Sequence, residues 1–134
     1  MSGAGDAEIA RAEGALGAVL PTGLKSVWVQ RNGCDLTLED VACGDYWRLF
    51  PVRDERSRKA LGRTAVDIVV EQQGAKQWSG FPVNALAIAS NDSGDFLVLL
   101  KTGASFGETV YLWDHESTDL VEVAGTILEF EVAG

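Results

Sequence analysis

Asn91-Asp92-Ser93-Gly94-Asp95 runs straight into Phe96-Leu97-Val98-Leu99-Leu100, and Thr109-Val110-Tyr111-Leu112-Trp113 follows, ending in Asp114-His115-Glu116. The first block is dense in turn formers and lies between two apolar runs, Ala85 to Ala89 and Phe96 to Leu100, which predicts a hairpin. Gly103 to Gly107 predicts a second turn, leading into Thr109 to Trp113 as the next strand. Consecutive strands joined by short turns make an antiparallel sheet. Apolar runs with no alternation need cover on both faces, so helices must flank this sheet. The turns carry carboxylates, and the chain's single histidine, His115, falls at the rim. An acidic edge bearing aromatics indicates binding rather than turnover.

The residues upstream supply the cover. Asp6 can cap a first helix, in which Ile9, Ala12, Leu16 and Val19 recur at helical spacing. Pro21 and Thr22 break and restart the chain, and Leu24, Val27 and Trp28 form the apolar stripe of a second helix ended by Asn32-Gly33. Asp35 to Glu39 alternates as a short strand, and Tyr46 to Phe50 is a stronger one, stopped by Pro51. Arg53 to Gly62 is a charged connector with some helical character. Thr64 to Asp67 has capping-box spacing and opens a third helix, with Ile68 and Val69 inside it and Gly74 closing it. After the sheet, Leu120 to Val123 is the last expected strand and Thr126 to Phe130 a short terminal helix. The expected fold is α+β: a single domain with a mostly antiparallel sheet of about five to six strands and flanking helices. Residues 1–5 form a flexible lead and residues 6–134 the domain.

Bulk composition narrows the function. A chain of 134 residues hides roughly 65–70% of its unfolded surface, enough for one real core. No apolar stretch reaches the roughly 18–20 residues that span a bilayer, and the N-terminus lacks a signal peptide's basic start and apolar run. A cytoplasmic protein with no membrane partner is the expectation. Cys34 and Cys43 then read as reduced thiols, too few beside one histidine for a structural zinc set. Neither a metal nor a cofactor is expected. The net charge is −9, and from Thr102 to Gly134 seven acids stand without a single lysine or arginine. The opposite bias sits at Arg53 to Arg63. Such a surface repels nucleic acid and attracts a basic protein, although acidity also simply aids solubility.

Catalytic motifs fail on context. Gly103-Ala104-Ser105-Phe106-Gly107 has a nucleophile-elbow spacing, but the residues after it look like strand where a helix is required. His115-Glu116 starts like a zinc-protease motif, yet Asp119 stands where the second histidine belongs. An EF-hand reading from Asn91 places Thr102 where the bidentate glutamate should fall. No glycine-rich phosphate loop is present, no small-molecule substrate is evident, and no catalytic residue is assigned. Of the four tryptophans, Trp28 and Trp47 are expected in the core, and Trp78, in a polar loop, is the candidate exposed anchor.

The ordered set of motifs resembles the SUKH superfamily, which includes the Smi/Knr-type domain. The residues that carry it are Glu13, Leu16-Gly17, Leu20-Pro21, Asn32-Gly33, Phe50-Pro51, Gly94-Asp95 after Ala89, and Trp113-Asp114-His115-Glu116. The resemblance implies an α+β fold and, for bacterial members, a non-enzymatic immunity protein that binds and neutralises a toxin of the nuclease or deaminase class. Fungal relatives act instead as regulatory scaffolds, which is the alternative reading here. Together these point to a protein partner, a basic toxin domain, held by Asp92, Asp95, Asp114, His115, Glu116 and Trp78. The competing reading of these residues is structural, with Gly94-Asp95 shaping a hairpin and Asp114 satisfying backbone amides.

Overall fold

The computed structural model describes residues 3–38, 46–91 and 93–133. Helices α1 (Asp6–Leu16) and α2 (Thr22–Gln30) open the chain, then strands β1 (Asp35–Thr37) and β2 (Trp47–Leu49). Helices α3 (Arg58–Thr64) and α4 (Ile68–Ala75) precede β3 (Ala85–Ser90), β4 (Phe96–Thr102), β5 (Ser105–Phe106), β6 (Val110–Trp113) and β7 (Leu120–Ala124). A single 3-10 turn (Ile127–Glu129) leads to β8 (Glu131–Ala133). The sheet order is β7-β6-β4-β3-β2-β1-β8, with β5 paired to β4, and every named pair is antiparallel. The α+β expectation holds, with eight strands among the described residues rather than five to six.

The core explains the double-sided apolar strands. Leu86, Ala87, Ile88 and Ala89 of β3 and Leu97 and Val98 of β4 have no exposed surface. The α4 side chain Gln72 clips onto β3, its amide nitrogen donating to the Ala85 carbonyl at 2.9 Å and its oxygen accepting from the Ala87 amide at 2.8 Å. Trp28 and Trp47 are buried as expected, and Trp113 with them. Trp28 Nε1 donates to the Phe50 carbonyl at 2.9 Å, tying α2 to the chain leaving β2. Truncating such a side chain to alanine costs about 3–5 kcal/mol.

Several boundaries move for identifiable reasons. Gly5 rather than Asp6 caps α1, its amide donating to Glu8 Oε1 at 2.9 Å. That helix stops at Leu16 because Gly17 turns left-handed at φ 71°. Val19, expected on the helix, bridges to Ser105 instead. Asn32 does not close α2 by its backbone; its buried side chain grips Val52, accepting from the amide and donating to the carbonyl, both at 2.9 Å. The capping box at Thr64 is corrected. Thr64 is the last residue of α3, its hydroxyl accepting from the Asp54 amide at 2.8 Å, and Asp67 itself caps α4 through the Val69 and Val70 amides. Gly74 lies inside α4.

The terminal helix shrinks to one 3-10 turn capped by Thr126, and the chain goes on to pair with β1, Leu36 opposite Val132. From Gly3 onward the N-terminal lead lies against α2, with the Ala4 amide on the Trp28 carbonyl at 2.7 Å and Ala4 buried. Cys34 is buried, and burial pushes its thiol up from the usual value, as suits a reduced cysteine. Cys43 lies outside the described residues. Among the described residues no helix is long and apolar enough to cross a membrane.

Candidate functional site

Three separate segments meet at one end of the sheet: the β3–β4 turn, the β6–β7 loop and the loop between α4 and β3. The turn is organised by Asn91, whose Oδ1 accepts from the Ser93 and Asp95 amides, both at 3.0 Å. This is the local chemistry that makes Asn favourable in tight turns. Gly94, at φ 93°, occupies the left-handed position. A Cβ there would sit 3.4 Å from the His115 ring.

Asp95 is thereby aimed at the β6–β7 loop. Its Oδ1 accepts from the His115 backbone amide at 3.2 Å and lies 2.7 Å from His115 Nδ1. A carboxylate only accepts, so Nδ1 carries the proton of this bond. The hydrogen bond and the charge of Asp95 raise the imidazole pKa above its ordinary 6.5. Both side chains are half-buried. On its other side the His115 ring meets Trp78 edge-on, with centroids 5.3 Å apart and planes at 66°. Trp78 keeps 44% of its surface exposed, so one part of the ring supports His115 and another faces solvent.

Asp114 has a different occupation. Its Oδ1 accepts from the Glu116 amide at 2.8 Å and the Ser117 amide at 3.1 Å, and these bonds hold its carboxyl below the usual range. The backbone closes the same loop, Thr118 N donating to Asp114 O at 2.7 Å and Asp114 N to Asp119 O at 3.1 Å. Glu116 is exposed. The structure thus brings together Asp95, His115 and Trp78, with Asp114 and Glu116 on the adjoining loop. Asp92 lies outside the described residues. The structural reading of Asp114 is correct in its geometry: it shapes the loop.

Two residues that the sequence did not mark as part of this site also build it: Gly80, legible only as a break in the chain, and Thr118. Thr118 adopts φ 62°, the only positive-φ non-glycine among the described residues. It packs on Gly80, where an added Cβ would meet Thr118 Cγ2 at 2.6 Å. Gly80 itself lies at φ 83°. Its glycine identity and its place just after Trp78 were a weak signal; nothing in the sequence marked Thr118. Beneath them Phe81 packs edge-on to Trp113 at 5.2 Å, and Trp113 stacks on Phe96 at 6.1 Å, so Trp113 is floor rather than contact.

Asp95, Asp114 and His115 offer donor atoms within 4.8 Å of one another, the spacing of a cation site. His115 Nδ1 is engaged by Asp95, and Asp114 Oδ1 accepts from two amides of its loop. The elbow-like Ser105 is exposed in β5, paired to Thr102, and β6 follows it where a hydrolase needs a helix.

Among the described residues an eight-stranded antiparallel sheet flanked by short helices defines a small α+β domain. The chain belongs to the SMI1 / KNR4 family (SUKH-1), whose sequence profile matches residues 3–131, nearly its whole length. No curated protein sequence matches it.

Proposed function

We propose that this protein is a non-enzymatic binding protein of the immunity type, which engages and neutralises a basic toxin domain through the loop rim. The observation that carries the reading is the meeting of Asp95, His115 and half-exposed Trp78 from three segments, beside Asp114 and Glu116. Family membership supports it, as does the absence of lysine and arginine from Thr102 onward. Trp78 supplies the aromatic anchor, and the carboxylates supply long-range attraction to a basic partner. In this reading the nuclease or deaminase class of toxin fits best, since such enzymes present cationic surface to nucleic acid. The protein acts in the cytoplasm, without cofactor or small-molecule substrate.

Because Asp114 holds its loop, the clean test reverses charge at Glu116 and leaves Asp114 alone. Glu116→Lys should slow association with the cognate toxin domain about tenfold at low salt and flatten its salt dependence. Trp78→Ala should act mainly on dissociation. Unchanged kinetics in both folded variants would remove the rim from the interface. Several weak partners in place of one tight basic one would favour the regulatory scaffold.

A further inference from the structure

Strand β7 ends the sheet, and among the described residues it pairs only with β6. Its hydrogen-bonding phase follows from the loop before it. Asp114 N donates to Asp119 O, which makes that residue pair hydrogen-bonded. Pairs alternate along an antiparallel ladder, so Trp113·Leu120 is non-bonded, Leu112·Val121 bonded and Tyr111·Glu122 non-bonded. The N–H and C=O groups of Leu120 and Glu122 therefore point away from β6, along the free edge. The side chains sort with them: Leu120 and Glu122 on one face, Val121 and Val123 on the other.

Leu120 to Ala124 contains no proline, lysine or arginine, and the register shift against β6 falls after Glu122, at Val123, beyond the Leu120–Glu122 stretch. Val121 is 52% and Leu120 38% exposed. Glu116, Asp119 and Glu122 are the charges on and before the strand, all of one sign. A second copy aligned on this edge would set acid against acid, whereas a cationic strand would be matched.

We propose that β7 accepts an extended segment of the toxin as an added strand, one that alternates basic residues with β-branched apolar ones. The basic face of that segment lies over Glu122, its apolar face continues Val121 and Val123, and its backbone bonds to Leu120 and Glu122. The inference rests on the binding reading above and names the mode by which the partner docks. The strand starts where the β6–β7 loop that carries His115 ends, so the edge lies next in the chain to the rim.

The test uses the intact protein, labelled for amide NMR, and capped peptides of about eight residues, a common strand length. One alternates Lys and Val, one alternates Glu and Val, and one carries prolines within the Lys-Val pattern. The Lys-Val peptide alone should slow amide exchange at Leu120 and Glu122 by about tenfold when the edge is nine-tenths occupied. Glu122→Lys, an exposed substitution, should transfer the preference to the Glu-Val peptide. Equal protection by both alternating peptides would overturn the charge assignment. Shifts confined to Trp78 and His115, with no protection at the edge, would overturn strand addition and leave the rim interface standing. Protection at Leu120 and Glu122 that rises with protein concentration alone would overturn the proposal in favour of a second copy.

Discussion

Replacing Gly80 by alanine tests how the rim is held, because two separable costs meet there. The first is conformational: at φ 83° an L side chain is strained by about 1–2 kcal/mol. The second is steric, since the new Cβ would lie 2.6 Å from Thr118 Cγ2 and 3.0 Å from Thr118 Cβ. Relieving such overpacking costs about 1–3 kcal/mol. Gly80→Ala should thus destabilise the protein by about 2–5 kcal/mol, the sum of these ranges. Thr118→Gly should instead be mildly stabilising, by about 0.5–1 kcal/mol, because relief of a β-branched residue at φ 62° exceeds the glycine entropy cost. In the double variant the clash disappears and only the backbone strain of position 80 remains, giving a coupling energy of about 1–3 kcal/mol. Urea unfolding followed by tryptophan fluorescence gives all three values. If the double variant is destabilised by the sum of the singles, within about 0.5 kcal/mol, then Gly80 and Thr118 do not pack as described and the reasoning fails.

Two further outcomes follow from the same structure. Asn32→Ala removes both partners of buried Val52, leaving an amide and a carbonyl without water or protein, so a loss of about 2–5 kcal/mol is expected in urea melts; a loss below about 1 kcal/mol would contradict the grip. His115 should titrate above 6.5 by NMR and fall toward it in Asp95→Asn. A folded pKa raised above the unfolded one gives stability that is complete below about 6.5 and is lost as pH rises through the folded value. The wild-type protein should accordingly lose more stability than Asp95→Asn over that rise, and parallel profiles would sink the pairing.

Local chemistry was legible where it acts through near neighbours. The Asn91–Asp95 turn, the apolar runs of β3 and β4, the α2 stripe and the burial of Trp28 and Trp47 follow from turn formers and periodicity, which depend on residues a few positions apart. Half-exposed Trp78 was legible from its polar neighbours. The same local logic failed when a side chain had a distant use. Thr64 looked like a cap but serves Asp54, and Asn32 looked like a helix stop but serves Val52. Asp114 braces its own loop, which is the structural alternative its sequence neighbourhood already offered.

What the chain alone determined is the α+β class, the family, the flanking helices and the acidic C-terminal third, because composition and short-range patterning are properties of the order of residues. Tertiary structure decided the rest. β8 is a strand only because β1 lies ready to pair with it, and Leu36 opposite Val132 cannot be read from either segment. Glu108 reaches the Gly23 amide at the start of α2 across most of the chain, and Asp95 meets His115 only because β4 and β6 are neighbours. Partners separated by loop closure carry no signal in local propensity, so a site built from three segments becomes visible only when the sheet brings them together.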